Sequence, residues 1–325
     1  MKRREFITLL GGAVTSWPLP VRAQQTGMPV IGILSLFRYE PNSPGAADFR
    51  QALAEAGYVP GQNIAIVDRR TNNPFSLPRL AAELVDSKVN VIVTSGSSYA
   101  AVAAKDATTT TPIVFQLDED PLKYGLVTSL SRPGGNVTGV SSRTTELAGK
   151  RLGFLIELIP QATTIAYLSL VGAPISEQLK SDMLAAGRAL GREIIVSEVR
   201  GFDLGAAFRT LVEQRADALI VGNFTAFFNN RHKIVELAAR HKIATMYPGR
   251  LYVAEGGLIS YGPTGFGNRQ LVRDYVVPIL KGAKPADLPV RQPTHFGLAI
   301  NLNTANALGL TIPRTVSVAV TEWIE

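Results

Sequence analysis

The sequence predicts an α/β protein with two doubly wound lobes, each built on a parallel sheet covered by helices. Short apolar runs alternate with longer stretches of helical periodicity, a pattern typical of parallel sheets covered on both faces. The alternation occurs twice, and a Gly- and Pro-rich seam at residues 133–136 separates the two runs. The chain has 325 residues, which is enough for two domains.

Each run can be divided into elements from the spacing of its apolar residues. The first run predicts strands at 29–36, 63–67, 90–94, 112–115 and 138–141, and helices at 46–56, 80–85 and 97–106. The second predicts strands at 164–170, 193–199, 218–221 and 244–247, and helices at 175–190, 204–214 and 227–241. In such sheets ligands bind beyond the carboxyl ends of the strands. We therefore expect a cleft where two of these edges face each other.

Composition excludes several function classes. Hydrophobic residues make up 46% of the chain and charged residues 18%, as in a globular protein. There is no cysteine, so disulfides, thiolate nucleophiles and zinc–thiolate sites are excluded. The net charge is +7, but residues 1–23 hold four of the 33 basic and one of the 26 acidic side chains, which leaves +4 for the rest. The basic residues are interspersed, so no nucleic-acid partner is expected.

The first 23 residues have the pattern of a signal peptide. Lys2, Arg3 and Arg4 precede an apolar stretch at 6–17, and Ala23 closes a small-x-small cleavage site. The apolar stretch is too short for a membrane anchor. We expect cleavage after Ala23 and a soluble periplasmic protein. The paired arginines resemble a twin-arginine export signal, and an ordinary Sec signal is the alternative.

Sequence motifs for catalysis or metal binding are missing. His232 and His241 lie nine residues apart on one predicted helix, hence on opposite faces, where they cannot share a metal ion. No nucleotide-binding glycine motif or nucleophile elbow occurs in the sequence. The sequence therefore predicts a protein that is not an enzyme, with no catalytic residue, no metal site and no cofactor.

One strand-to-helix junction could bind an anion. After the strand at 90–94, the chain continues with Ser95, Gly96, Ser97 and Ser98, which lead into a helix. Hydroxyl groups, free backbone N–H groups and the helix dipole together favour a carboxylate. The alternative is an ordinary serine N-cap. The residues themselves leave both readings open.

An acidic cluster follows the next strand. Asp120 precedes Pro121, a pattern that predicts a helix N-cap. Asp118 is free for another role, such as capture of a cation in the cleft. Aromatic residues lie near the predicted strand ends and could hold an apolar ligand, with core packing as the alternative for each. They are Phe37, Tyr39, Tyr99, Phe224, Tyr247 and Tyr261.

Several segments together resemble the tryptophan/tyrosine-type substrate-binding proteins of ABC importers. They are PVIGILS at 29–35, ALAEAGYVPGQNIAI at 52–66, NVIVTSGSSYAAVAAKDATTTTPIVF at 90–115, DPLKYGLVTSLSRPGGNVTGVS at 120–141, FFNNRHKIVELAARHKI at 227–243, GGLISYG at 256–262 and ILKGAKPADLPVRQPTHFGLAINLNTANALGLTIP at 279–313. The resemblance covers almost the whole chain after residue 28.

This resemblance implies the type I periplasmic-binding fold, in which the chain crosses between the lobes three times. The N-lobe would comprise 28–142 plus 260–286, and the C-lobe 143–259 plus 287–325. The resemblance also implies permease subunits at the inner membrane as partners, and we expect a monomer. The ligand-binding residues would then be Ser35, Phe37, Ser95, Gly96, Ser97, Ser98, Asp118, Ser169, Asn223, Thr225, Tyr247 and Tyr261.

One departure from the family concerns the ligand. Relatives often carry Asp-Pro where this chain has Thr225 and Ala226. Loss of that aspartate favours a ligand without a charged amine. We therefore expect a small carboxylate with an aromatic or apolar body, ahead of an aromatic amino acid and then a sugar. A sensor feeding a signalling system, or an exported enzyme using Asp118 and Glu119, are the alternative functions.

Overall fold

The first of two sheets has five strands, all parallel. The computed structural model describes residues 27–36, 44–95, 97–172, 175–201, 203–264 and 267–325. The strands of this sheet are β1 (Val30–Ser35), β2 (Ala65–Arg70), β3 (Val91–Ser95), β4 (Ile113–Leu117) and β5 (Val137–Ser141). They are ordered β2-β1-β3-β4-β5, with every neighbouring pair parallel.

The second sheet has seven strands and is mostly parallel. Its strands are β6 (Thr164–Leu170), β7 (Glu193–Val199), β8 (Ala218–Val221), β9 (Ala244–Tyr247), β10 (Ile259–Pro263), β11 (Phe296–Asn301) and β12 (Glu322–Ile324). The order is β12-β11-β10-β9-β8-β6-β7. Only β10 and β11 pair in antiparallel orientation among these strands. The predicted α/β class with two parallel-dominated sheets is confirmed.

Helices connect the strands and cover both sheets. They are α1 (Pro44–Glu55), α2 (Leu77–Asp86), α3 (Ser98–Ala107), α4 (Ala148–Leu158), α5 (Ser176–Ala189), α6 (Leu204–Glu213), α7 (Thr225–Asn229), α8 (Arg231–Arg240), α9 (Arg250–Ala254), α10 (Asn268–Leu271), α11 (Val277–Leu280), α12 (Leu302–Ala307) and α13 (Arg314–Ser317). A π-helical turn at Val272–Val276 joins α10 to α11. None of the helices in the described part of the chain combines the length and apolarity that a membrane crossing requires.

The core divides in the same way as the sheets. One buried cluster surrounds the second sheet, and two others cover the opposite faces of the first sheet. Gly139 of β5 shows how tightly the first sheet is packed. A Cβ there would lie 2.1 Å from the carbonyl oxygen of Phe115, and φ at Gly139 is +151°. Only glycine fits such a position without displacement of the backbone.

Contacts of residues 260–291 show which sheet each part of this stretch packs against. Strand β10 pairs with β9 in the larger sheet, so residues 260–263 lie with the second lobe. The π-helical turn that follows packs on the first sheet. Arg291 runs beside β5, where its N–H donates to Gly139 O at 3.1 Å and its carbonyl accepts from Ser141 N at 3.0 Å. The division of the chain at 142, 260 and 287 remains a proposal, but these contacts place its last two boundaries a few residues later.

Two local predictions are wrong. The single helix predicted at 227–241 is split into α7 and α8, because the chain turns at Asn230. Asp120 does not cap a helix. Its Oδ1 accepts from Leu122 N at 2.9 Å, and residues 121–125 form turns.

Candidate ligand-binding cleft

The carboxyl end of the first sheet brings the predicted hydroxyl groups together. Strands β1 and β3 are parallel neighbours, and Ser35 at the end of β1 lies opposite Ser95 at the end of β3. Ser35 is buried, and its Oγ lies 3.5 Å from Ser95 O. These two predicted site residues therefore share one edge of the first lobe.

The start of α3 uses its serines inside the lobe. Ser97 is the N-cap, and its Oγ accepts from Tyr99 N at 3.1 Å. The hydroxyl of Ser98 donates to Glu119 Oε1 at 3.3 Å, and both residues are buried. Of the two alternatives for this junction, the structure places Ser97 in the capping role. An anion at this junction would meet free backbone N–H groups of the first helical turn.

Asp118 lies where the two lobes meet and is partly exposed. Its Oδ1 accepts the hydroxyl of Ser142 and, at 3.1 Å, that of Thr144. Both donors lie on the segment that leaves β5 for the second lobe. Both hydroxyls bond to the same oxygen of this partly exposed carboxylate.

Glu119 is a buried carboxyl beside Asp118. Burial and the neighbouring charge of Asp118 raise the pKa of Glu119 to about 7, against a partial opposing effect of hydrogen bonds that include the one from Ser98. Ser141 Oγ donates to the backbone carbonyl of Glu119 at 2.6 Å. A carboxyl with such a pKa changes its protonation state near neutral pH, unlike an ordinary glutamate.

Two tyrosines stand at the outer edge of the first lobe. Tyr99 is 51% exposed and Tyr124 is 40% exposed. Burial raises the pKa of Tyr124, and the neighbouring Ser98 opposes this rise. The turn that begins at Asp120 thus brings an aromatic ring next to the start of α3. Sequence reasoning missed Tyr124, because it lies in a turn that was interpreted as a helix.

The second lobe contributes strand ends of its own. Ser169 near the end of β6 is buried, and its Oγ makes no hydrogen bond within the described structure. Gly222 follows β8, where a Cβ would lie 2.7 Å from Leu168 O. This glycine lets the chain turn closely past β6 and present Asn223. Asn223 Nδ2 donates to Thr144 Oγ1 at 2.7 Å.

Helix α7 approaches the first lobe. Thr225 is its first residue and is partly exposed. At its other end, Asn229 Oδ1 lies 4.0 Å from the position of a Cβ on Gly45 in α1. The two lobes therefore lie close together where α7 faces α1.

The two predicted tyrosines of the second lobe are packed rather than exposed. Tyr247 is 1% exposed and stacks on Tyr252 with ring centroids 5.0 Å apart. Tyr261 is 8% exposed, and its ring centroid lies 5.1 Å from that of Phe154. Lys150 Nζ donates to the hydroxyl of Tyr261 at 3.4 Å. Core packing, the alternative stated for single aromatic residues, describes Tyr247 best.

Arg151 is a buried cation that sequence reasoning missed. Its Nε donates to Tyr261 O at 2.9 Å and its Nη2 to Pro248 O at 3.2 Å, which ties α4 to the ends of β9 and β10. Burial lowers the pKa of Arg151 to about 10, with Tyr167 and Asp118 acting in the opposite direction. It therefore remains charged at neutral pH. In the sequence, Arg151 resembles any cation on an amphipathic helix.

Some sequence predictions fall outside the described residues. They are the signal peptide at 1–23, the candidate site residues Phe37 and Gly96, and the candidate aromatic residue Tyr39. Within the described ranges, no three His, Asp or Glu side chains are grouped so that they could hold a metal ion.

Two α/β lobes that meet at the carboxyl edges of their sheets are typical of two-lobed binding proteins. A family model described as ABC transporter substrate binding protein matches residues 45–324. The chain belongs to this family. Its members are binding proteins.

Relatives and solved structures agree with this assignment. The chain is 26% identical over 287 residues to a tyrosine-binding protein of Clostridioides difficile (strain R20291), a match that covers 86% of this chain and 81% of the relative. The crystal structure of an ABC domain in complex with L-Trp from Streptococcus pneumonia matches with a TM-score of 0.71 and 25% identity, covering 90% of this chain and 100% of that one. A conserved domain protein from Vibrio cholerae matches with a TM-score of 0.73 and 24% identity, covering 91% and 100% of the two chains.

Proposed function

We propose that this protein is the periplasmic receptor of an ABC importer and captures a small carboxylate with an aromatic or apolar body between its lobes. The observation that carries the proposal is the meeting of Asp118 and Asn223, from opposite sheet edges, at Thr144. A ligand held at this point touches both lobes, and such a ligand favours lobe closure. The permease subunits at the inner membrane are the proposed partners, and the proposed receptor is a monomer.

The polar groups around the cleft suit a carboxylate. The start of α3 offers backbone N–H groups in the first lobe, while Lys150 and Arg151 supply positive charge in the second. Tyr99 and Tyr124 offer exposed ring surface at the edge of the first lobe. An aromatic or apolar body would lie against these rings while its carboxylate faces the N–H groups. Ser35, Ser95, Ser169 and Thr225 remain proposed contacts.

An aromatic amino acid is the second candidate ligand. It is favoured by the tyrosine-binding relative, by the L-Trp complex and by the partly exposed carboxylate of Asp118, which could accept hydrogen bonds from an ammonium group. Thr225 argues in the other direction, since the family resemblance implies an aspartate at this position and threonine carries no charge to pair with an amine. The ligand amine is therefore the feature that separates the two candidates.

Thermal unfolding of residues 24–325 with a matched ligand pair tests both candidates. L-Phenylalanine and 3-phenylpropanoate share a ring and a carboxylate and differ in the amine. A ligand present at about 100 times its Kd adds about 2.7 kcal/mol of stability. Stabilisation by 3-phenylpropanoate favours the first candidate, and stabilisation by L-phenylalanine alone favours the second. If the protein is folded and neither these two compounds nor tyrosine or tryptophan raises its unfolding temperature, the proposed ligand class is contradicted.

Export and transport need tests in the host cell. We propose that the leader is removed after Ala23 and that Arg3 and Arg4 direct the chain to twin-arginine export. The mass of the protein recovered from the periplasm checks the cleavage, and Arg3→Lys with Arg4→Lys checks the route. Loss of uptake of the bound ligand in a deletion strain supports transport. Normal uptake with a lost transcriptional response to the ligand would indicate a sensor instead.

A further inference from the structure

A short series of hydrogen bonds joins the two lobes beside the first connecting segment. Asn223 Nδ2 donates to Thr144 Oγ1 at 2.7 Å, and Thr144 Oγ1 donates to Asp118 Oδ1 at 3.1 Å. Ser142 Oγ donates to the same carboxylate oxygen. We call Asp118, Ser142, Thr144 and Asn223 the hinge relay. Every donor in it points toward the carboxylate, so the bonds reinforce one another.

The ends of the hinge relay belong to different lobes. Asp118 follows β4 of the first sheet, and Asn223 follows β8 of the second. Thr144 begins the 3-10 turn Thr144–Leu147, which leads into α4. Ser142 and Thr144 are 7% and 4% exposed, so water has little access to these hydroxyls. A buried hydrogen bond of this kind is costly to leave unmade.

The backbone between the two relay hydroxyls is in an unfavourable conformation. Arg143 has φ +47° and ψ +32°, which lies in the left-handed helical region that residues other than glycine rarely adopt. The other described non-glycine residues with positive φ, Lys88, Arg215 and Lys242, follow the ends of helices, where this conformation is common. Arg143 precedes a helical turn instead. Its neighbours on both sides bond Asp118, so the relay and the unusual backbone occur together.

We propose that the hinge relay holds the two lobes in the closed arrangement, and that Thr144 is the positioning residue that couples Asp118 of the first lobe to Asn223 of the second. When the lobes open, Asn223 moves away from Asp118, and the hydroxyl of Thr144 loses one of its two partners. A ligand cation that contacts Asp118 would act on the same carboxylate as the relay. Ligand capture and lobe closure are then linked through one group. This last consequence rests on the aromatic amino acid, the second candidate ligand of the proposed function, whereas the relay itself does not.

Distance measurement between spin labels tests the relay. Because the full chain has no cysteine, Arg79→Cys with Arg200→Cys places labels only on the two lobes. The replaced side chains are 69% and 74% exposed. Thr144→Val removes the hydroxyl and keeps the shape, while Thr144→Ser keeps the hydroxyl. Thr245→Val is the matched control, since its buried hydroxyl donates to Ile243 O at 2.9 Å within the second lobe.

The ligand-free labelled parent is expected to show a short-distance population. Thr144→Val should reduce the ratio of short to long distances about tenfold. Thr144→Ser and Thr245→Val should leave that ratio close to the parent's. Asn223→Ala should have little further effect when Thr144 is already valine, because the coupling runs through that hydroxyl. A distance distribution in Thr144→Val that matches the parent's would overturn the relay, as would a parent with long distances only.

A second arm separates the relay from the proposed ligand. The same samples are measured with 1 mM L-tyrosine as the probe, in parallel with its Kd by calorimetry. If calorimetry detects no binding of L-tyrosine to the parent while Thr144→Val still loses the short distances, the relay is supported and the amino-acid candidate is contradicted. If L-tyrosine binds the parent, about tenfold weaker binding to Thr144→Val with rescue by serine supports the link between capture and closure. Equal Kd values for the parent and Thr144→Val would refute that link.

Discussion

Replacement of Glu119 by glutamine should make the protein more stable in a pH-dependent way. Burial and the charge of Asp118 raise the pKa of Glu119 from 4.5 to about 7 in the folded protein. In the unfolded chain the group titrates near its ordinary value. The folded state therefore holds a proton that the unfolded state loses, and stability falls as pH rises from about 4.5 through about 7. Glutamine keeps the shape and still accepts from Ser98, but it has no proton to lose.

The size of the effect follows from the pKa. Each unit by which the pKa differs between the folded and unfolded states corresponds to about 1.4 kcal/mol. The rise in the pKa of Glu119 from 4.5 to about 7 therefore lowers the stability by about 3 kcal/mol above pH 7. Glu119→Gln should therefore exceed the parent by up to about 3 kcal/mol at pH 8 and match it near pH 4.5. For a chain of this size that is roughly 5 °C in the midpoint of thermal unfolding. Melting curves of both proteins at intervals of half a pH unit measure the difference.

An exposed glutamate supplies the control. Glu236 is 48% exposed on its side chain and pairs with Lys233 and Arg240 on the surface of α8, and hydrogen bonding to Lys233 lowers its pKa. Glu236→Gln should not stabilise the protein at any pH. If the difference in thermal midpoint between the parent and Glu119→Gln stays constant between pH 4.5 and 8, the pKa of Glu119 is not raised in the folded protein and the reasoning fails.

Three further substitutions test the backbone and the buried cation. Gly139→Ala should destabilise the protein by more than about 3 kcal/mol, because its Cβ would overlap Phe115 O, and a urea titration measures the loss. Arg151→Met should cost about 2–4 kcal/mol by the same assay, since two backbone carbonyls lose their donor, with Arg151→Lys closer to the parent. Arg143→Gly relieves a left-handed backbone conformation and should change the short-distance population of the spin-labelled protein. Lys242→Gly relieves the same conformation away from the cleft and should leave that population unchanged. Equal distance distributions for the two variants would contradict a special role for Arg143.

Much of the fold could be predicted because its strands are short, apolar and bounded by turn residues. Strands β6, β7, β8 and β9 have the predicted limits. Strand β2 is displaced from its predicted 63–67, since Asp68, Arg69 and Arg70 belong to it. An edge strand tolerates such charges, and its pattern is therefore less apolar than that of a central strand. The single helix predicted from the pattern at 227–241 contains a turn at Asn230 that apolar spacing alone does not reveal.

The site was less predictable than the fold. Residues at strand ends, such as Ser35 and Asn223, could be proposed because the family resemblance implies ligand loops there, and parallel topology gathers such strand ends at one edge. Thr144 and Arg151 could not, since their roles depend on how the connecting segment lies against both lobes. A threonine after a strand and an arginine on a helix carry no signal in the sequence. Their contacts arise only when the two sheets are brought face to face.

The charges around the cleft are distributed differently from what the family pattern suggests. The family resemblance leads one to expect an aspartate at the position of Thr225, in the second lobe. Here the partly exposed carboxylate of Asp118 lies in the first lobe, and Lys150 and the buried Arg151 lie in the second. The charge of Asp118 opposes the effect of burial on the pKa of Arg151, so the carboxylate of the first lobe and this cation of the second attract each other. Asp118 also accepts the hydroxyls of Ser142 and Thr144, so a ligand that contacts Asp118, as proposed, would act on the same carboxylate as the proposed hinge relay.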